Sequence, residues 1–249
     1  MSGHNKWSKV KHKKGAKDQK IGKIFSKIAK MIVIAAKEGG DDPDSNAKLR
    51  LAIGKAKQAS MPNENIKRAI QKAVGSGDGE EYFELSYEGY GPEGVAVIVQ
   101  CLTDNKNRTA AQIRHLFSKF GGNLGENGCV AWMFDKKGYI SIEKSLIDEE
   151  KLMEIALENG AEDIKTDETS YEIITDPSDF ETVRQALEDK EIEMEESDIT
   201  MIPQTYIKLD EHGAKKVLRL ISHLEDDDDV QDVYANFDID DDIMEMIEE

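Results

Sequence analysis

Cysteine is scarce, with two in 249 residues. Cys101 and Cys129 lie in the apolar stretches "VAVIVQCL" and "CVAWMF". They read as buried, reduced thiols, with a disulfide or a metal role as the alternative. No apolar run approaches the roughly 18 residues that a membrane span needs. The longest, "MIVIAA" (Met31–Ala36), continues a helical pattern and reads as core. Arginine is absent before Arg50, and polar residues continue to Lys20. Neither a transit peptide nor a secretory signal is therefore expected, and the expected location is the cytoplasm.

Catalytic and ligand motifs are lacking too. There is no G-x-S-x-G and no H-E-x-x-H, and His115, His212 and His223 read as surface residues on helices. "GGNLGENG" (Gly121–Gly128) follows a helix and has no GK[ST] ending, so it reads as a helix cap and tight connection rather than a phosphate loop. "EDDDD" (Glu225–Asp229) lacks the alternating ligands of a calcium loop and reads as a solvated turn. The expectation is a non-enzyme with no catalytic residue, no cofactor and no metal site.

Acid is what the opening segment lacks. Gly3–Lys20 holds seven lysines and two histidines against Asp18 alone. Residues 1–75 carry 18 basic against 6 acidic side chains, a net of +12, and residues 76–249 carry 15 against 45, a net of −30. Such segregation is a statement about partners. Lys6, Lys9, Lys11, His12, Lys13, Lys14, Lys17 and Lys20 are candidates for phosphate contact, and Lys23, Lys27, Lys48, Arg50, Lys55, Lys57, Lys67, Arg68 and Lys72 extend the basic surface over the helices. Released counterions would make that binding salt-dependent. Trp7 sits before any apolar periodicity and is a candidate for base stacking. The alternative is that Trp7 packs on the helices and the lysines are merely solvated. "TDNKNRT" (Thr103–Thr109) opens a helix, where Asn105, Asn107 and Arg108 either meet a second phosphate or simply cap. The basic tail is also expected to dock on the acidic domains when no nucleic acid is present.

What is there supports a multi-domain α+β fold. Ile21, Ile24, Phe25, Ile28 and Ile32 form one helical stripe. Two shorter helices follow, with Leu49, Ile53 and Ala56, then Ile66, Ile70 and Val74, turned inward. "GSGDGEE" (Gly75–Glu81) reads as a linker. Two strands, a helix and a strand "CVAWMF" come next. Residues 138–202 then run β-α-β-β-α-β, the ferredoxin-like order. "QTYIKL", a helix over 210–224 and a strand "VQDVYANFDI" are too little for a third core, so they are assigned to the unfinished sheet of 82–135. The expected organisation is a basic tail (1–20), a three-helix domain (21–75), a discontinuous α+β domain (76–135 with 204–240), an inserted ferredoxin-like domain (136–203) and a solvated acidic tail (241–249).

Four stretches carry a resemblance. "GHNKWSKVKHKKGAKDQKIGKIFSK", "YEGYGPEGVAV", "DNKNRTAAQIRHLFSKFGGNLGENGCVAWMFDKKG" and "DDVQDVYANFD" resemble the YebC/PmpR family over nearly the whole chain. The resemblance implies three domains, one α+β domain inserted in another, and no cofactor or catalytic residue. It implies a DNA-binding transcriptional regulator, or a translational activator that binds rRNA or the ribosome. Two rivals stand beside it: a protein-binding adaptor working through the acidic domains, and an enzyme with a cleft between the two α+β domains.

Overall fold

The computed structural model describes residues 17–75, 81–167 and 169–248. Three helices come first: α1 (Lys17–Gly39), α2 (Ala47–Gln58) and α3 (Asn63–Gly75). Ile28, Ile32, Leu49, Ala52, Ala56, Met61 and Ile66 form their common core. The expected stripe is buried only in part: Ile21 and Ile24 are exposed, and so is Val74 at the far end of α3. The reason is length. α1 has 23 residues and its partners have 12 and 13, so at 1.5 Å per residue its first turns outrun them.

The next elements are β1 (Phe83–Tyr90), β2 (Ala96–Thr103), α4 (Lys106–Lys119) and β3 (Asn123–Leu124). The chain returns after residue 205 with β8 (Ile207–Lys208), α7 (Glu211–Glu225), β9 (Val230–Ala235), β10 (Phe237–Asp238) and α8 (Asp241–Glu248). One antiparallel sheet runs β3-β1-β2-β9, so a strand from the end of the chain completes a sheet begun near residue 83. Alternation on β2 explains the layers. Val97, Val99 and Cys101 face Ile113 and Phe117 of α4 and Leu220 and Ile221 of α7 in one core. On the opposite side, Gln100 and Leu102 border a small cavity with Met31, Ile34 and Ala35 of α1. Gly89 lets β3 pair with β1, because a Cβ there would lie 2.5 Å from the Asn123 carbonyl oxygen.

Residues 132–205 form a second compact unit. Its elements are β4 (Phe134–Glu143), α5 (Glu149–Glu158), β5 (Ala161–Thr166), β6 (Ser170–Thr175), α6 (Phe180–Glu188) and β7 (Glu196–Pro203). The sheet order β5-β6-β4-β7, antiparallel throughout, is the ferredoxin-like arrangement. Ile140, Ile142, Leu152, Ile173, Phe180 and Leu187 are fully buried. The fold is thus α+β and multi-domain, with one α+β unit inserted between the two segments of the other.

Three local expectations are corrected. "CVAWMF" is not a strand: Ala131–Met133 form a 3-10 turn, and Trp132 is exposed. Glu88 is the cause. Its buried carboxylate accepts the amides of Gly128 (2.7 Å), Val130 (2.9 Å) and Ala131 (2.7 Å), which removes them from any ladder. Burial alone would raise the pKa of Glu88, and these three N–H donors hold it below its usual value. "VQDVYANFDI" breaks at Asn236, whose side chain accepts the Ala96 amide at 2.7 Å while its carbonyl accepts from Ile207 at 2.8 Å. The chain there leaves β9 and, as β10, pairs with β8 in parallel. The acidic end is not a solvated tail. α8 buries Met244 and lays Ile243 and Ile247 on the core.

Candidate nucleic-acid interface

The helical domain is held in shape by its first connection. Asn46 caps α2 by accepting the Leu49 amide at 3.0 Å, and its buried side-chain amide donates to the carbonyls of Ala35 and Gly40, both at 2.7 Å. Arg50 donates to the Pro43 carbonyl at 2.7 Å and closes the same turn.

On this scaffold the cations divide into two sets. One set is turned onto the acid-rich domain. Lys27 donates to the Glu225 carbonyl at 2.6 Å and Lys23 to the Asp226 carbonyl at 3.1 Å. Lys30 donates to the Asp228 carbonyl at 3.0 Å and to the Asp229 carboxylate at 3.2 Å. These oxygens stand at and just beyond the C-terminus of α7. Carbonyls there lack helical partners and the dipole is negative, so ammonium groups are drawn in. Lys48 pairs with Glu38 and Glu84, each at 2.8 Å, and Lys55 with Asp232 at 3.9 Å. The run Glu225–Asp229, expected to be a solvated turn, is therefore the landing place of α1. Lys23 and Lys27, expected to meet phosphate, donate here to carbonyls of the chain's own acid-rich domain, and Lys23 remains exposed.

The other set faces water. Lys57 on α2, and Lys67 and Arg68 on α3, are exposed and make no ion pair or side-chain hydrogen bond among the described residues. They lie off the buried arc of Ala56, Ile66 and Ala69, so the core side of each helix fixes the direction of its charge. Lys17 and Lys20 belong to the first turns of α1. Lys6, Trp7, Lys9, Lys11, His12, Lys13 and Lys14 lie outside the described residues, as does the core of the expected linker at 76–80. The expected docking of the basic tail on the acidic domains falls outside them too.

Asp229 joins the two domains. Its buried carboxylate accepts from Thr103 (3.1 Å), Thr109 (2.9 Å), Arg108 (2.7 Å) and Lys30 (3.2 Å). Burial alone would raise its pKa, but the bonds from Arg108, Thr109 and Lys30 prevail and hold it below the usual carboxylate range. Arg108 also pairs with Asp104 at 2.7 Å, so its guanidinium already has two carboxylates. Asn105 caps α4 by accepting the Arg108 amide at 3.1 Å. Of the three candidates at this helix start, Asn105 caps, Asn107 is exposed and Arg108 is anchored.

The rest of α4 is not among the expected contacts. Not one acid occurs between Asn105 and Gly125, inside a region of net charge −30. Arg114, His115 and Lys119 are exposed there. The signal in the sequence is this local absence of acid, masked by the domain's overall charge.

Cys101 and Cys129 form no disulfide among the described residues, and burial first of all pushes the Cys101 thiol up to about 12. Among the described residues there is no His, Cys, Asp or Glu group arranged to hold a metal ion, and no helix is long and apolar enough to cross a membrane.

Comparison with known proteins adds the following. Residues 5–76 match the profile described as the TACO1/YebC protein N-terminal domain, and residues 82–237 match that of the TACO1/YebC second and third domain. A probable transcriptional regulatory protein of Natranaerobius thermophilus is 57% identical over 248 residues, covering 98% of this chain and 99% of the relative. One from Syntrophus aciditrophicus is 58% identical, covering 99% of each. The crystal structure of a conserved hypothetical protein from Aquifex aeolicus is similar with a TM-score of 0.81 at 46% identity, covering 92% of this chain and 95% of that one.

Proposed function

The chain belongs to the TACO1/YebC family, and we propose that it regulates gene expression by binding nucleic acid, without catalysing a reaction. The observation that carries this reading is the division of cations in the helical domain. Lys23, Lys27, Lys30, Lys48 and Lys55 are taken up by the protein's own acids and carbonyls, while Lys57, Lys67 and Arg68 are left to solvent in the same 75 residues that carry the seven-lysine segment. Unpaired cations gathered at one end of a chain of net charge −18 fit a polyanion. The names of the relatives favour transcription, and so DNA. Lys6, Trp7, Lys9, Lys11, His12, Lys13, Lys14, Lys17 and Lys20 complete the proposed interface. Asn107 is kept as an outlying contact. Outside the acid-free stretch Asn105–Gly125, the acid-rich α+β domains are repelled by the same ligand and serve as the surface for a protein partner. The proposed place of work is the cytoplasm.

A salt titration tests the reading. Duplex DNA and single-stranded RNA of the same sequence are titrated with the wild type, with Lys57→Ala/Lys67→Ala/Arg68→Ala, and with a chain lacking residues 1–16. Every phosphate that a variant no longer neutralises should lower the slope of log K against log salt by about 0.9 on duplex DNA and about 0.7 on single strands. Stronger binding to RNA, with a loss confined to RNA on Trp7→Ala, would move the assignment to an rRNA- or ribosome-binding translation factor. Slopes unchanged in both variants would overturn the reading.

A further inference from the structure

We propose that the outer face of α4 is a second nucleic-acid contact, separate from the helical domain and set in the acid-rich half of the chain; the inference rests on the nucleic-acid reading above. α4 buries Thr109, Ile113, Leu116 and Phe117. At 100° per residue the opposite arc carries Asn107, Ala111, Arg114, His115, Ser118 and Lys119, all exposed. The helix has four lysines and arginines, one histidine and no acid.

The charge on this face is available to a ligand. Neither Arg114 nor His115 makes an ion pair or side-chain hydrogen bond among the described residues. The ammonium of Lys119 stands 5.3 Å from the centre of the Phe120 ring, and that of Lys106 stands 3.8 Å from the centre of the Phe83 ring. A ring holds an ammonium in place without cancelling its charge. Arg108 is the contrast, since Asp104 and Asp229 occupy it. The surrounding half of the chain has three acids for every base, yet none of those described is spent on Arg114.

The shape of the face suits a nucleic-acid backbone. The helix is about 20 Å long, and along that length a duplex presents a charge about every 1.7 Å. Ala111 and Ser118 lie between the cations and do not hold a ligand away. The Ser118 hydroxyl and the Asn107 amide are donors of the kind that bind phosphate oxygens. An arginine and a lysine flanked by such donors fix position on a backbone without reading sequence.

The test uses the full-length protein with a short labelled duplex DNA and the matching single-stranded RNA. Arg114→Gln/Lys119→Gln removes two charges from an exposed face, and Arg114→Glu/Lys119→Glu reverses them. The neutral pair should weaken binding about tenfold and lower the salt slope by about 1.4–1.8. The reversed pair should weaken it further. Combined with Lys57→Ala/Lys67→Ala/Arg68→Ala, the reductions in slope should add. If both α4 pairs bind with the wild-type slope while the helical-domain variant shows a shallower one, this proposal falls and the general reading stands. If the wild type binds neither probe, both fall. A variant whose thermal melt departs from wild type is replaced by Arg114→Lys/Lys119→Arg, which keeps the charge and should restore the slope.

Discussion

Asp229→Asn is the sharpest test of how the turn after α7 is fastened to β2 and α4, with Lys30 of α1 on the same carboxylate. The substitution keeps the volume, removes the charge and turns amide hydrogens toward groups that are themselves donors. The buried hydroxyls of Thr103 and Thr109 bond this carboxylate at 3.1 and 2.9 Å. A buried bond to a charged acceptor is worth about 1.5 kcal/mol, and there are two. Lys30, with 23% of its side chain exposed, adds about 0.5 kcal/mol, since water screens it. The expected loss is about 3.5 kcal/mol, or about 400-fold in the opening equilibrium. Native-state hydrogen exchange at the β2 amides reads that opening directly. The pH dependence has a definite sign. Asp229 is depressed in the folded state, so its contribution is complete above the unfolded value of about 4 and is lost as pH falls through the folded pKa. The gap between wild type and variant should hold at neutral pH and close in acid. Equal exchange at neutral pH, or a gap that survives in strong acid, would refute the reasoning.

Lys23→Ala/Lys27→Ala should leave the salt slope of nucleic-acid binding unchanged while speeding exchange in the first turns of α1. A slope lower by one or two would return these lysines to the interface. Glu88→Gln should destabilise the segment Gly128–Ala131 by about 2 kcal/mol, seen as faster exchange of the three amides that the carboxylate accepts. Because Glu88 is also depressed, the wild type should approach the variant only in acid. Gly89→Ala would place a methyl 2.5 Å from the Asn123 carbonyl and 2.9 Å from the Phe117 ring. That should cost about 1–3 kcal/mol and lower the melting temperature, and an unchanged melt would show that β3 can yield. A fragment of residues 132–205 should unfold cooperatively by itself. One of residues 76–131 should not, since its sheet lacks β9 and its core lacks α7.

Much of the fold can be read along the chain because it is written in short-range periodicity. Ile28 and Ile32 keep helical spacing and are buried, and the order β-α-β-β-α-β within 138–202 gives the ferredoxin-like sheet. The shortage of core material after residue 203 points to a strand that completes an earlier sheet, and β9 pairs with β2. Hydropathy alone misjudges places where a single polar side chain redirects the backbone: Glu88 over "CVAWMF" and Asn236 in "VQDVYANFDI". It also reads α8 by its acids and overlooks the spacing of Ile243, Met244 and Ile247.

The sequence by itself determined how charge is divided, +12 against −30, because formal charge depends on residue identity alone. Which of those charges remain for a ligand was decided by tertiary structure. Lys27 meets Glu225 across 198 positions, and Arg108 meets Asp229 across 121. No local pattern encodes such pairs, because they form only when β9 enters the sheet beside β2 and brings the end of α7 up to α1. The same packing leaves Arg114 on α4 without an ion pair among the described residues. The charge of each lysine and arginine is fixed by its side chain, and its availability by the carbonyls and carboxylates that the fold brings within hydrogen-bonding reach.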